Sequence, residues 1–269
     1  MTESATPGIT VRLEEHGDSG LVAHVTIANP GKLNIVNRAL MGELLAASAR
    51  LSATAGLRAV VLTGDGDKAF IGGADIGEMA ELDADTARDF ITLLHRVCDG
   101  LRRLPVPVIA RIDGYALGAG LEIAASCDLR IASERAIFGM PEVRVGIPSV
   151  IEAALLPALI GWGRTRRLLL TGESVSAEEA VRWGLIERVV PAAELDGAVA
   201  TMLDAILACG VNALRLQKEL IRYWEDHSVA EAVEQGIVSF AAAWESDEPR
   251  RLMRSFLEAK RGRRGATTS

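Results

Sequence analysis

Apolar positions along the first two-thirds of the chain fall into two rhythms. Short apolar or β-branched runs at 21–27, 59–62, 106–112, 129–132 and 136–138, bounded by Gly, Pro, Asp, Asn or Ser, predict strands. Between them Leu40, Leu44, Ala47 and Leu51 share one helical face, a second helix covers 87–104, and a third starts near Gly118. Strand–helix alternation of this kind predicts an α/β fold with a layered sheet. Beyond about residue 195 the rhythm is helical only. Val199, Met202, Leu203, Ile206 and Leu207 follow i, i+3, i+4, i+7, i+8, and Val233, Ile237, Phe240, Ala241 and Trp244 nearly repeat it. With Leu252, Phe256 and Leu257 these predict a C-terminal lobe of three or four helices. Cys209-Gly210 reads as a helix end and 261–269 as a basic, frayed tail. The predicted division is an α/β core over 1–195 and a helical lobe over 196–269.

Composition narrows the function. The 269 residues are 49% hydrophobic and 24% charged, as in ordinary globular proteins, and suit one large domain with an appended lobe. A net charge of −7 disfavours general nucleic-acid binding. No uncharged run approaches the ~18 apolar residues of a membrane span, and the polar start lacks the pattern of a secretory signal, so a cytoplasmic protein with no membrane partner is expected. Three widely spaced cysteines and four scattered histidines form no disulfide or metal pattern, which fits a reducing compartment and chemistry without a metal.

Two glycine-containing turns and two glutamates are the candidate chemistry. Asp113-Gly-Tyr-Ala-Leu-Gly-Ala-Gly-Leu-Glu-Ile-Ala-Ala-Ser-Cys127 follows a strand, and between Gly114 and Cys127 its only charge is Glu122. Small residues at the start of an apolar helix let a ligand approach the first amides, and Glu122 lies about one turn inside. Close helix–sheet packing with Glu122 paired to an arginine explains the same segment. Leu62-Thr-Gly-Asp-Gly-Asp-Lys-Ala-Phe-Ile-Gly-Gly-Ala-Asp-Ile76 also follows a strand, and Gly72-Gly73-Ala74 could bring amides near a ligand, although a plain loop explains it as well; Asp75 with Glu78 has capping-box spacing. Were 138–146 a strand, Glu142 and Arg144 would share a face and pair. Lys32 reads as a turn lysine.

Taken together these phrases resemble the enoyl-CoA hydratase/isomerase (crotonase) superfamily from about residue 20 to 260. The resemblance rests on Pro30-Gly-Lys-Leu-Asn34, Val60-Val-Leu-Thr-Gly64, Ala69-Phe-Ile-Gly-Gly-Ala-Asp-Ile76, Gly114-Tyr-Ala-Leu-Gly-Ala-Gly120 with Glu122, Cys127-Asp128, Phe138-Gly-Met-Pro-Glu142 and Thr171-Gly-Glu-Ser-Val-Ser-Ala-Glu-Glu-Ala180. It implies an α/β spiral of repeated ββα units, an acyl-CoA thioester substrate, and a homotrimer or dimer of trimers joined through the C-terminal helices, which also cover the active site. Neither cofactor nor metal is implied, because CoA belongs to the substrate. By the same resemblance the amides of Ala74 and Ala119 form an oxyanion hole, Glu122 handles the attacking water and Glu142 supplies the α-proton. Lys32, Leu33, Gly72, Gly73, Asp75, Ile76, Gly118, Gly120 and Pro141 fall at substrate-binding positions. Two glutamates favour hydration of a trans-2-enoyl-CoA. A Δ3,Δ2-enoyl-CoA isomerase or another acyl-CoA enzyme of this fold is the alternative, and a non-catalytic acyl-CoA- or RNA-binding member is the alternative outside enzymes.

Two departures stand out. A glycine-rich stretch usual after the second glutamate reads here Gly146-Ile-Pro-Ser-Val-Ile-Glu-Ala-Ala-Leu-Leu-Pro157, in which Ser149-Val-Ile-Glu152 has capping-box spacing and Val150 and Ile151 add bulk beside the acyl pocket. Gly77 stands where many relatives have a lysine for the CoA phosphates, with Lys32, Lys260 and Arg261 as possible replacements.

Overall fold

The computed structural model describes residues 7–266. β1 (Gly8–Glu15) and β2 (Leu21–Ala28) form an antiparallel hairpin, and α1 (Arg38–Ser52) follows, capped by the Asn37 side chain on Leu40 N. Then come β3 (Leu57–Gly64) and β4 (Ala69–Ile71) with α2 (Ile76–Met79) and α3 (Ala84–Arg102). β5 (Val108–Ile112) and β6 (Tyr115–Leu117) lead into α4 (Ala119–Ala125). β7 (Leu129–Ser133) and β8 (Ile137–Gly139) lead, through 3-10 turns at Glu142–Val145 and Ile151–Leu155, into α5 (Leu156–Thr171). β9 (Ser174–Ser176), α6 (Ala177–Trp183) and β10 (Arg188–Val190) close the series.

β1 and β2 both lie in a six-stranded sheet, β1-β2-β3-β5-β7-β10; in the pairs β3/β4, β5/β6 and β7/β8 the first strand joins that sheet and the second joins a four-stranded sheet, β4-β6-β8-β9. From β2 onward the larger sheet is parallel. This is the α/β spiral the sequence implied. Parallel strands covered on both faces need continuous apolar runs, and Ala59-Val-Val-Leu62 in β3 is buried throughout. The predicted strands correspond to β2, β3, β5, β7 and β8. β4, β6, β9 and β10, at three residues each, are too short to show a period. β1, whose outer positions are Thr, Arg and Glu, was also missed.

The smaller sheet meets α4 backbone to backbone. A Cβ on Gly120 would lie 2.1 Å from the Ile71 carbonyl oxygen. Only glycine lets α4 come this close to β4, and that approach places the first amide of α4 beside the turn that follows β4.

Packing divides the chain into Met1–Asp204 and Ala205–Ser269. The sequence put this boundary at 195/196; by packing it falls inside α7 (Leu195–Leu207). In the second unit α8 (Val211–Asp226) packs on α9 (Val229–Ala243), which starts at a Ser228/Glu231 capping box. Glu248 of α10 (Glu248–Ala266) accepts from the Asn212 and Ala213 amides at the start of α8. No residue of α9 is buried, and Val233, Ile237 and Phe240 stand exposed. The tail expected to fray over 261–269 is helical through Ala266, and 267–269 lie outside the described residues. No single described helix is long and apolar enough to cross a membrane.

Gly120→Ala should lose about 1–3 kcal/mol of stability, because the methyl group would have to push backbone apart. Gly42→Ala, on the exposed face of α1 with nothing within 4 Å, should gain up to about 1 kcal/mol. Urea unfolding of both variants checks this, and similar behaviour of the two would contradict the tight α4–β4 contact.

Candidate active site

Two turns supply unpaired amides. After β4 the chain passes Val36, which donates to Gly73 O and accepts from Asp75 N. That bridge uses the peptide groups on either side of Ala74 and leaves the Ala74 N–H out of the ladder. Gly73 makes this possible with a φ of 128°. Across from it, Ala119 is the first residue of α4, and first-turn amides have no acceptor in their own helix. The helix dipole adds partial positive charge at the same end.

A cavity of about 230 Å³ lies between these amides. Gly72, Gly73, Ala74 and Ile76 form one side, and Leu117, Gly118, Ala119 and Glu122 another. Pro141 and Glu142 close the third side, followed by the 145–150 segment. Phe90, Ile91 and Leu94 of α3 give it an apolar wall that the sequence reading missed, although the spacing of these residues marks one helical face.

Glu122 is 5% exposed and has no cation against it, so the arginine-paired reading fails. Its Oε1 accepts from Ala153 N at 3.0 Å. Burial pushes its pKa up to about 8; the Ala153 amide opposes the rise, and the charges of Glu142 and Glu152 add to it. Glu142 does not lie on a strand. It starts a 3-10 turn, which separates it from Arg144, and Arg144 donates instead to Thr171 O at 3.2 Å. Glu142 Oε1 sits where a Cβ on Gly118 would be, 2.3 Å away, and its Oε2 accepts from Ser149 Oγ at 2.7 Å. Gly118, with a φ of 51°, therefore makes room for the second carboxylate.

The expected capping box at 149–152 is not formed. Ser149 turns to Glu142, and Glu152 turns inward to His95, so the residue before the Ile151–Leu155 turn has no side-chain cap. At Asp75 only half of the expected box exists. Asp75 caps α2 through the Gly77 and Glu78 amides, while Glu78 reaches Arg38.

Several implied substrate-binding residues lie outside the cavity wall. Asp75 is turned to its cap and to Lys32 Nζ at 3.5 Å. Burial raises its pKa, but the two amides and the Lys32 ammonium outweigh that and hold it below the usual carboxylate range. Lys32 is exposed, Leu33 accepts from Gly72 N through its carbonyl, and Gly120 is spent on the α4–β4 contact. Lys260 is exposed on α10 in the second unit. Among the described residues no cluster of three or more His, Cys, Asp or Glu could hold a metal ion.

The family model described as enoyl-CoA hydratase/isomerase matches residues 17–263. The chain is 35% identical to the short-chain-enoyl-CoA hydratase of Clostridium acetobutylicum, over 90% of this chain and 93% of that one. It is 34% identical to the crotonyl-CoA hydratase of Syntrophomonas wolfei, over 89% and 93%. The crystal structure of an enoyl-CoA hydratase from Bacillus anthracis superposes with a TM-score of 0.87 at 30% identity, covering 93% of this chain and 96% of that one.

The state of Glu122 has a thermodynamic signature. A carboxyl that holds its proton more tightly folded than unfolded stabilises the fold below its unfolded pKa, and that contribution is lost as pH rises towards about 8. Glu122→Gln should therefore raise Tm, by more at pH 9 than at pH 5. An equal change at both pH values would show that Glu122 is not desolvated.

Proposed function

The chain belongs to the enoyl-CoA hydratase/isomerase family, and from that premise we infer that it is an enoyl-CoA hydratase acting on trans-2-enoyl-CoA thioesters. The observation that carries the reading is one cavity with two free-facing amides and two carboxylates. With the thioester oxygen at the amides of Ala74 and Ala119, Glu122 and Glu142 flank the conjugated double bond. Ionised Glu122 takes a proton from water as the oxygen adds to Cβ. The π electrons move onto the thioester oxygen, where fixed donors meet the developing charge without reorganising. Glu142 then protonates Cα, and passage of the new proton from Glu122 to Glu142 resets the site. The pKa of Glu122, about 8, suits a general base working near neutrality.

This sequence of steps needs no resident cofactor, and CoA enters and leaves with the acyl group. Three widely spaced cysteines, with Cys98 and Cys127 buried, support a cytoplasmic setting. The exposed apolar residues of α9 and α10, among them Val233, Ile237, Phe240 and Phe256, support a homotrimer or dimer of trimers. Val150 lines the cavity and Ile151 does not, so of these two Val150 is the one placed to limit acyl length.

Hydration is read as loss of the ultraviolet absorbance of the conjugated thioester, whereas isomerisation of a 3-enoyl-CoA creates that absorbance. Glu122→Gln and Glu142→Gln should each lower kcat by about 10²–10⁴. Ala119→Pro should lower it by about 10²–10³ while Ala119→Ser is mild. A folded variant of either glutamate with wild-type turnover removes that residue from the mechanism. Over a chain-length series Val150→Gly should shift kcat/KM toward longer acyl groups, and Ile151→Gly should not; the reverse result would mean that Ile151 is the residue at the acyl end.

A further inference from the structure

A third carboxylate sits behind the two of the mechanism. Glu152 is 4% exposed, and it is the only charge in the apolar run Val150-Ile-Glu-Ala-Ala-Leu-Leu-Pro157. Its Oε1 lies 2.8 Å from His95 Nδ1. A carboxylate oxygen only accepts, so Nδ1 carries the hydrogen. Its Oε2 is buried and has no hydrogen-bond partner. A buried carboxylate satisfied on one side only is costly and needs a reason.

The segment around Glu152 supplies one. Ser149 Oγ donates to Glu142 at 2.7 Å and Ala153 N donates to Glu122 at 3.0 Å, so five consecutive residues hold both glutamates. Between those donors Ile151 has a φ of 41°, a left-handed conformation that a β-branched residue adopts only when its surroundings force it. Glu152 ties this strained stretch to α3 through its hydrogen bond with His95.

We propose that Glu152, anchored by His95, is a positioning residue for the hydration site: it fixes the strained 149–153 segment so that Ser149 and Ala153 hold Glu142 and Glu122 in place. This rests on the hydratase reading above. Glu152 does not line the cavity between the two amides and acts through its neighbours. It also adds negative charge beside Glu122, which favours the protonated form of that carboxyl. The other titratable groups that act on Glu122 are Glu142 and, from α3, Cys98, while His95 of the same helix faces Glu152. Burial first, and then Glu152, pushes the Cys98 thiol well up, so it stays neutral. β4 contributes no titratable group, and Tyr115 of β6 is exposed.

Two variants separate position from charge. Glu152→Gln keeps an acceptor for His95 and removes the charge. His95→Ala removes the anchor from a side chain that is 51% exposed, so it leaves little void and should fold. Glu122 is followed in the ligand-free protein by its carboxyl band in pH-difference infrared spectra, assigned with Glu122→Gln. In Glu152→Gln its midpoint should fall, because a negative charge beside it is removed. In His95→Ala, kcat on crotonyl-CoA should fall by about tenfold or more at nearly constant KM, and His95→Asn, which keeps a donor near the Nδ1 position, should recover most of it. The double variant His95→Ala/Glu152→Ala should be no worse than the poorer single, because the two act as a unit. Wild-type kcat in His95→Ala, or a Glu122 midpoint that is the same in wild type, Glu152→Gln and His95→Ala, overturns the proposal. Wild-type protein that does not hydrate crotonyl-CoA would overturn the functional reading alone, since the infrared midpoint decides the role of Glu152 without turnover.

Discussion

The site depends on one steric constraint, the contact of backbone with backbone where α4 crosses β4. The missing side chain of Gly120 lets the Ile71 carbonyl lie against the helix. That contact fixes the distance between two turns that belong to different repeats of the spiral. One ends at Ala74 and the other opens at Ala119. A methyl group there would move the two amides apart, and an oxyanion hole depends on donors whose spacing does not relax as charge develops. The ββα repeat therefore makes the site by bringing the ends of successive short strands, β4 and β6, side by side.

The same approach buries Glu122. A carboxylate one turn inside an apolar helix, with one amide donor and two acidic neighbours, holds its proton to an unusually high pH. Desolvation dominates, and this is the opposite of a structural ion pair, where a cation would pull the pKa down. Glu142 sits in a different environment, half-buried at the start of a turn and held by a hydroxyl. Two carboxyls in unlike surroundings can divide the work of accepting and donating protons.

Much of this was legible in the sequence. The continuous apolar runs of β2, β3 and β5 and the face carrying Leu40, Leu44 and Leu51 gave the layered core. A lone charge in an apolar helix after glycines marked Glu122. The second sheet was mostly invisible because all four of its strands are three residues long and carry no period, and only β8 was picked out. The turn at 149–152 was misread because Ser-x-x-Glu spacing is shared by a helix cap and by a segment whose two side chains point to different partners. Only the left-handed Ile151 separates them, and nothing in a linear pattern announces a positive φ at isoleucine. The signal that could have found Glu152 is the one that found Glu122, a single acid in an apolar run. Lys32 and Asp75 were placed at the substrate by resemblance, yet they satisfy each other across the α2 cap.

The central claim is that the amides of Ala74 and Ala119 and the carboxyls of Glu122 and Glu142 surround one thioester. A crystal structure with a bound 3-hydroxyacyl-CoA product tests it most directly. The account predicts the thioester oxygen at roughly 2.7–3.1 Å from both amide nitrogens. It also predicts the 3-hydroxyl against Glu122 and Cα within reach of Glu142. A thioester oxygen bound to only one of the amides, or an acyl chain that leaves both carboxyls on one side of Cα and Cβ, would contradict it.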